Sequence, residues 1–332
     1  MLSIQKIFHP EIYQGRHKKK DYFEGWYFKQ VSRDQKHSIA LIPGVSLNHK
    51  DPHAFVQVII SDNSPLGSVD VMDQKPTLVT DYYRFSLSDF SFQDKPFSIQ
   101  IGKNIFSKTD LFLDLKHDHL QIEGHLCLSD LEPIQKSLLY PNIMGFFGYF
   151  SFMECYHGII SMRHACSGQI GINGKEIVYS GGRGYIEKDW GCSFPKEYIW
   201  VQCNHFKQNK TAIMLSTAHI PFLGTAFKGF LCNLNIQGKE YRWATYNGSK
   251  IIKEIVGEKK LSYLIKRKQL ILQIEAEIMD HGTLIAPQDG QMIHNIKEGL
   301  LGEVKIKLMN EDGDILYEDI GTSAGVEIVK GK

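Results

Sequence analysis

Apolar and polar residues alternate with a period of two in many short segments of this chain. Such alternation predicts β-strands that bury one face. Ala54–Ser61 is apolar nearly throughout, which is typical of a strand covered on both faces. The other predicted strands are Tyr22–Val31, Ser38–Leu47, Tyr82–Leu87, Phe97–Ile101, Leu111–Lys116, Leu120–Leu128, Glu154–Ile170, Glu176–Ser180, Tyr198–Phe206, Ala212–Ala218, Ala226–Ile236, Tyr241–Tyr246, Leu261–Ile265, Gln269–Ile278, Gly302–Leu308 and Ile315–Val329.

Helical periodicity is nearly missing from the sequence, and only Asp130–Ser137 is predicted as a short helix. Two runs of short strands with turn signals between them indicate an all-β protein built of two tandem antiparallel barrels or sandwiches. We place residues 1–188 in the first unit and residues 189–332 in the second. A barrel of about eight strands has room for one small apolar ligand.

The segment 138–152 is apolar but contains a proline and two glycines, which disfavours a regular helix. We interpret it as a plug that closes the first barrel. The alternative is an exposed apolar patch that contacts a lipid surface or a long apolar ligand.

The 332 residues are 42% hydrophobic with a formal charge of +1, so a folded core is expected and nucleic-acid binding is not. The basic run at residues 16–20 is interpreted as a solvated arm, with contact to anionic lipid headgroups as the alternative. No signal peptide or membrane-spanning segment is recognised, so a cytoplasmic protein is expected, with possible peripheral membrane contact. The oligomeric state is not indicated.

No motif for a metal, a nucleotide or an activated nucleophile is present. The six cysteines form no CxxC pair, and no histidine pair has helical metal-binding spacing. The glycines at 168, 171 and 174 lie in a predicted hairpin rather than before a helix, which argues against dinucleotide binding. We therefore expect neither a metal ion nor a cofactor.

The densest group of charged and aromatic residues is the stretch from Ser180 to Asn204, at the junction of the two strand runs. On a strand, Arg183, Tyr185, Glu187 and Asp189 would share one face. Arg183 and the two acids could form a plain ion pair, or Arg183, Glu187 and Lys188 could simply fasten the two units together. The alternative is that Tyr185 and Glu187 present a proton donor to a dry cavity.

Several motifs resemble the tocopherol cyclase family. They are Tyr22-Phe-Glu-Gly-Trp-Tyr-Phe28, Glu154-Cys-x-His-Gly158, Gly182-Arg-Gly-Tyr-x-Glu-Lys-x-Trp-Gly191, Phe194-Pro195, Trp200-x-Gln-x-Asn204 and, more loosely, Ala324-Gly-Val-Glu327. By fold, this family belongs with lipocalin-like proteins that include carotenoid hydratases. The resemblance implies two tandem lipocalin-like barrels with a site near their junction.

The resemblance also implies a cofactor-free reaction. A protein acid would protonate the alkene of a prenylated hydroquinone, and the adjacent phenol oxygen would trap the cation to close a chromanol ring. By motif position Glu187 is the expected acid, Tyr185 and His157 orient it or relay the proton, and Asp189 is the second candidate acid. The residues expected to contact the substrate are Glu24, Trp26, Tyr27, Arg183, Trp190, Trp200, Gln202 and Asn204.

Two alternatives remain open. Water could capture the cation instead of the phenol, which would make the protein a hydratase of an isoprenoid alkene. The protein could also bind or carry an isoprenoid lipid without converting it. The expected partner is in each case a hydrophobic small molecule.

Overall fold

The computed structural model describes residues 4–18, 21–63, 77–222 and 224–331. Lys19 and Lys20 of the basic run lie outside these ranges. The described chain forms two antiparallel sheets and very little helix, which confirms the all-β prediction. Its helical elements are α1 (Ile4–Phe8) and 3₁₀ turns at Gly15–His17, Leu87–Asp89, Gly145–Tyr149 and Thr245–Asn247.

The first sheet contains the strands before residue 192. They are β1 (Phe23–Val31), β2 (His37–Ser46), β3 (His53–Asp62), β4 (Thr77–Phe85), β5 (Phe90–Gln93), β6 (Ser98–Ile101), β7 (Asn104–Ser107), β8 (Asp110–Lys116), β9 (Gln121–Ser129), β10 (Cys155–Ile172), β11 (Lys175–Val178) and β12 (Gly182–Gly191). The sheet order is β4–β3–β2–β1–β12–β10–β9–β8–β7–β6–β5, with β11 paired to β10. The late strand β12 therefore lies between β1 and β10.

The second sheet contains the strands from residue 198 onwards. They are β13 (Tyr198–Cys203), β14 (His205–Phe206), β15 (Thr211–Phe222), β16 (Thr225–Ile236), β17 (Lys239–Ala244), β18 (Lys250–Val256), β19 (Lys260–Arg267), β20 (Leu270–Glu277), β21 (Gly282–Gln288), β22 (Gln291–Asn310) and β23 (Ile315–Val329). The order is β17–β16–β15–β13–β23–β22–β20–β19–β18, with β14 on β23 and β21 on β22. The last strand, β23, thus lies beside the first, β13.

Each sheet has its own apolar core, and a third buried cluster joins the two sheets. Side chains of strand β1 pack into two of these clusters. Trp26 and Phe28 pack into the core of the first sheet, whereas Tyr27 belongs to the cluster that joins the sheets. Both faces of β1 are therefore buried, whereas β8 and β9 alternate between buried and exposed positions.

The predicted helix at Asp130–Ser137 is wrong, because this segment has no helical residues. Its backbone instead bonds to the edge of β10. The amide of Glu132 donates to the carbonyl of Arg163 at 2.9 Å, and the amide of Met162 donates to the carbonyl of Glu132 at 2.8 Å. These tertiary bonds override a weak local preference for helix.

The apolar segment 138–152 combines features of both interpretations given above. Ile143 and Met144 are buried in the cluster between the sheets. Leu138 and Leu139 are 80% and 70% exposed, and further exposed apolar side chains of this segment are Phe146, Tyr149 and Phe152. The segment thus covers the space between the sheets on its inner side and presents an apolar surface on its outer side. No helix in the described ranges is long and apolar enough to span a membrane.

Candidate functional site

A cavity of about 180 Å³ lies between the two sheets, and most of its wall is apolar. Both sheets and the segment 138–152 contribute side chains. The apolar walls include Phe23, Ile42, Phe55, Met144, Phe147, Met153, Phe194, Ile220, Phe227, Phe230, Leu231, Leu284 and Ile296. The ionisable side chains that line it are Tyr27, Glu154, Cys155, Tyr156, His157, Glu187, Asp189, Tyr198, Tyr246, Glu298 and Glu327. An apolar cavity with a few polar groups is the usual form of a small-molecule site.

Glu187 belongs to the first sheet, and two hydrogen bonds hold its carboxyl group at the cavity wall. It lies on β12 and is only 4% exposed. The Tyr185 hydroxyl, two residues before it, donates to Glu187 Oε2 at 2.5 Å, and Trp200 Nε1 donates to the same oxygen at 3.1 Å. Since Trp200 is on β13, one carboxyl is positioned by both sheets.

His157 lies beside Glu187 and is held by Asp189. His157 on β10 and Asp189 on β12 are cross-strand partners, so their side chains lie on the same face. His157 Nδ1 is 2.8 Å from Asp189 Oδ1, and His157 Nε2 is 3.4 Å from Glu187 Oε2. Burial acts to lower the pKa of His157, but the two carboxyl groups outweigh burial and raise this pKa to about 9.

The pKa of Glu187 is raised to about 7. Burial is the main cause, and the nearby Asp189 adds to it, while His157 and the hydrogen bonds from Tyr185 and Trp200 act in the opposite direction. Glu187 therefore keeps its proton up to about neutral pH in an apolar cavity. The imidazolium of His157 would stabilise the carboxylate that forms when this proton leaves. This arrangement suits a general acid.

Two further carboxyl groups line the cavity from the second sheet, and the sequence analysis assigned no role to either. They are Glu298 on β22 and Glu327 on β23, which are cross-strand partners. Tyr27 donates a hydrogen bond to Glu298 Oε1, and the Tyr198 hydroxyl donates to Glu327 Oε2 at 2.6 Å. Glu327 was noted only within a motif, and Glu298 gave no signal because charged residues alternate along much of its strand.

Some groups of side chains have the composition and spacing of metal ligands. In the cavity, the ligand atoms of His157, Glu187 and Asp189 lie within 4.8 Å of one another. Two other groups of this kind are on the first sheet: Asp81 with His117 and His119, and Asp110 with His125 and Cys127. Mixed nitrogen and carboxylate ligands of this type suit divalent transition metals. The expectation of a metal-free site remains a prediction.

Of the residues that the sequence singled out, five line the cavity: Tyr27, His157, Glu187, Asp189 and Trp200. Tyr185 stands behind Glu187 and positions it. The other six predicted residues are not among the described residues that line the cavity: Glu24, Trp26, Arg183, Trp190, Gln202 and Asn204.

Glu24 faces away from the cavity, where it forms a fully buried ion pair with Lys188. It also accepts hydrogen bonds from the amides of Gln14 and Gly15. The Lys188 ammonium is 4.7 Å from the ring centroids of both Trp26 and Trp190. These residues therefore fasten the N-terminal segment to the first sheet.

Two polar residues of the predicted site connect the sheets instead. Gln202 Oε1 accepts a hydrogen bond from the buried Lys29 at 3.0 Å, and Asn204 Nδ2 donates to the Gly184 carbonyl at 2.8 Å. Arg183 is half-buried, and in the described structure Glu187 is bound by Tyr185 and Trp200 rather than by Arg183. The predicted ion pair between Arg183 and this acid is therefore not formed.

The sequence of this chain is similar to a known protein family. The sequence profile described as tocopherol cyclase-like matches residues 137–330, which is more than half of the chain. A probable chloroplastic tocopherol cyclase of Oryza sativa subsp. japonica is 26% identical over 178 residues. That alignment covers 51% of this chain but only 37% of the rice protein. The chain thus spans well under half of that relative.

Solved structures with the same fold have very different sequences. The crystal structure of CghA matches 93% of this chain and 88% of its own, with a TM-score of 0.60 and 10% identity. The kievitone hydratase of Nectria haematococca matches 96% of this chain and 93% of its own, with a TM-score of 0.52 and 9% identity. At these identities the similarity concerns the fold alone.

Proposed function

The chain belongs to the tocopherol cyclase-like family, and we propose that it catalyses the cofactor-free cyclisation of a prenylated hydroquinone, or of a related isoprenoid lipid, to a chromanol-type ring. The observation that carries this proposal is Glu187. Its carboxyl group is buried in a largely apolar cavity and retains its proton to about neutral pH. An alkene is a weak base, so its protonation requires a positioned acid in a site without competing water.

In the proposed first step, Glu187 transfers its proton to the alkene carbon that gives a tertiary cation. The rings of Tyr27 and Trp200, with centroids 5.4 Å apart, lie at this acid. Aromatic faces stabilise a cation by about 0.5–2 kcal/mol. The phenol oxygen then attacks the cation and closes the ring. Apolar walls keep out water, which would otherwise form an alcohol.

We further propose that the two sheets are tandem lipocalin-like barrels and that the space between them receives the isoprenoid chain. Each sheet encloses a separate apolar core, which supports this arrangement. The cavity wall near Phe147 and Phe227 is apolar, and the stacked rings of these two residues are 6.1 Å apart. An apolar wall of this kind suits the hydrocarbon chain of an isoprenoid.

The lipid substrate also needs a route to the cavity, and we propose that the segment 138–152 contacts a membrane surface. Phe147 lines the cavity and stacks at 4.6 Å on Phe146, which is exposed. The exposed apolar surface is therefore continuous with the cavity wall. Exposed apolar patches of this kind mark contact sites for proteins or membranes.

The proposal is tested by incubating the purified protein with a short-chain prenylated hydroquinone and analysing the products by mass spectrometry. Cyclisation gives an isomer of the substrate, whereas hydration gives a product heavier by one water. Unchanged substrate that co-purifies with the protein would instead support a carrier. Turnover is expected to persist in EDTA, and a loss that zinc restores would contradict the cofactor-free proposal.

The variant Glu187→Gln is expected to reduce turnover by about 10²–10⁴-fold, the usual contribution of a general acid. The matched control Glu123→Gln removes an exposed carboxyl of β9 and is expected to have no effect. Wild-type turnover should fall as the pH rises through about 7, because Glu187 then loses its proton. Full turnover in Glu187→Gln would show that Glu187 is not the general acid.

A further inference from the structure

Glu298 and Glu327 form a pair of carboxyl groups that the acid step above does not use. They are 1% and 9% exposed, and both line the cavity. Glu327 lies in cross-strand register with Trp200 on one side and with Glu298 on the other. The pair is therefore on the second sheet, in the row of side chains that starts at the indole bound to Glu187.

Hydrogen bonds from two tyrosines hold this pair at the cavity wall. The hydroxyls of Tyr27 and Tyr198 each occupy one oxygen, on Glu298 and Glu327 respectively. The two carboxyl groups also contact each other, and no further partner of the buried Glu298 Oε2 is found among the described residues. A buried carboxyl oxygen without a partner costs free energy, which a ligand that donates a hydrogen bond would recover.

Burial, together with their closeness, disfavours the ionisation of both groups at once. Burial, followed by the neighbouring Glu298, raises the pKa of Glu327 well above its ordinary value, and burial raises the pKa of Glu298 to about 7. The other ionisable groups that act on the pair are Tyr27, Tyr198, Lys29, Glu187 and Asp189. At about neutral pH the pair therefore holds one shared proton, and its ionised carboxyl group can accept a second proton.

We propose that the Glu298–Glu327 pair binds the phenolic hydroxyl that closes the ring and accepts the proton that this hydroxyl releases. The inference rests on the proposed function and specifies the chemical group of the substrate that the second sheet recognises. It divides the reaction between the sheets. Glu187 on the first sheet supplies a proton, and the pair on the second sheet removes one.

The step balances without an oxidant or a reductant. The alkene takes the proton of Glu187, a carbon–oxygen bond forms to the phenol oxygen, and the oxygen–hydrogen bond of the phenol breaks. Its proton passes to the ionised carboxyl group of the pair. After the product leaves, Glu187 lacks one proton and the pair has one in excess, and exchange with solvent restores both.

Binding of two ligands tests the inference independently of turnover. One ligand is a short-chain prenylated hydroquinone, and the other is the same molecule with the ring-closing hydroxyl methylated. Wild-type protein should bind the free phenol at least about tenfold more tightly, since a hydrogen bond to a charged group contributes about 1.5–3 kcal/mol. Glu298→Leu should abolish this preference, and the exposed control Glu275→Gln should retain it.

A second measurement uses Glu298→Gln and Glu327→Gln, which keep the side-chain shape. The pH profile of turnover should be a narrow bell around neutral pH, with a low-pH limb where the pair becomes fully protonated and a high-pH limb where Glu187 loses its proton. The low-pH limb should disappear in the glutamine variants while the high-pH limb remains, a change that loss of folding would not produce.

The possible failures are distinct. A preference for the free phenol that depends on Glu298, without any turnover, would support the binding site and overturn the proposed cyclisation. Turnover by wild-type protein with an unchanged preference in Glu298→Leu would overturn the role of the pair. Equal binding of both ligands to wild-type protein would overturn it as well.

Discussion

Three side chains, Asp189, His157 and Glu187, form a connected row at the cavity wall. Asp189 is 2.8 Å from one ring nitrogen of His157, and Glu187 is 3.4 Å from the other. A positive charge on His157 compensates the Asp189 carboxylate. It also lies beside Glu187, the proposed acid. In the proposed reaction, this row would stabilise the charge that develops when the alkene is protonated.

We predict that Asp189→Asn lowers the pKa of His157 below about 9. The carboxyl groups of Glu187 and Asp189 raise this pKa against the effect of burial, and the asparagine removes one of them together with its charged hydrogen bond. Titration of the His157 ring by NMR measures the change. Asp110→Asn removes an exposed contact with His125 and should leave the His157 titration unchanged. An unaltered His157 pKa in Asp189→Asn would show that Asp189 does not hold the imidazolium.

The sequence identified the acid side of the site better than its opposite wall. Glu187 and His157 lie in motifs dense in aromatic and charged residues, and this density indicates a candidate site. Glu298 lies in a strand with many charged residues, most of which face solvent. Only the second sheet's position against the first buries this particular glutamate. Alternation assigns a residue to a face, but it does not say what covers that face.

Strand β12 is the element that joins the site to the rest of the fold. One of its faces presents Tyr185, Glu187 and Asp189 towards the second sheet. Its other face presents Ile186 to the core of the first sheet and Lys188 to Glu24. The chain returns to β1 for this strand after all other strands of the sheet, so the ion pair fastens β12 to a partner that is distant in sequence.

We predict that Glu24→Ala destabilises the protein by about 3–5 kcal/mol, because it leaves the Lys188 charge buried and unpaired. Chemical denaturation measures this loss. The double variant Glu24→Ala/Lys188→Met should recover much of it, since the buried charge is then gone. Ligand binding by the folded fraction should change little, as Glu24 faces away from the cavity. Weaker ligand binding at unchanged stability would instead support the substrate contact that the sequence analysis assigned to Glu24.

Most strands were predictable because their periodicity is strong, and the exceptions have local reasons. Strand β18 was not predicted, since KIIKEIV places apolar residues side by side and several of them remain partly exposed. Strand β21 was not predicted either, as it contains Pro287 and shows a register shift between Ala286 and Pro287. The helix expected at 130–137 failed because this segment bonds to the edge of β10.

The two sheets act as one unit because aromatic residues cross between them. Trp200 of the second sheet binds Glu187 of the first, and Tyr27 of the first binds Glu298 of the second. Each carboxyl group is thus held by the opposite sheet. Separation of the sheets would release both carboxyl groups and admit water, so the stability of this junction and the proposed chemistry depend on the same contacts.

In the proposed function, the segment 138–152 is the surface by which a lipid substrate enters the cavity. We predict that Leu138→Ser/Leu139→Ser weakens binding to phosphatidylcholine vesicles by at least about tenfold, because insertion of each leucine side chain contributes about 1.5–3 kcal/mol. Vesicle co-sedimentation measures the partition. The matched control Ile252→Ser/Ile255→Ser removes two half-exposed apolar side chains from β18 and should bind vesicles like the wild type.

Two comparisons make this prediction decisive. Turnover of a detergent-solubilised hydroquinone should be the same in the leucine variant and in the wild type, because neither leucine lines the cavity. Turnover of the same substrate embedded in vesicles should fall with the binding. Equal vesicle binding by the leucine variant and the control variant would mean that this surface does not dock on lipid. The inner side of the segment would then retain its role as a wall of the cavity, and the substrate would have to enter by another route.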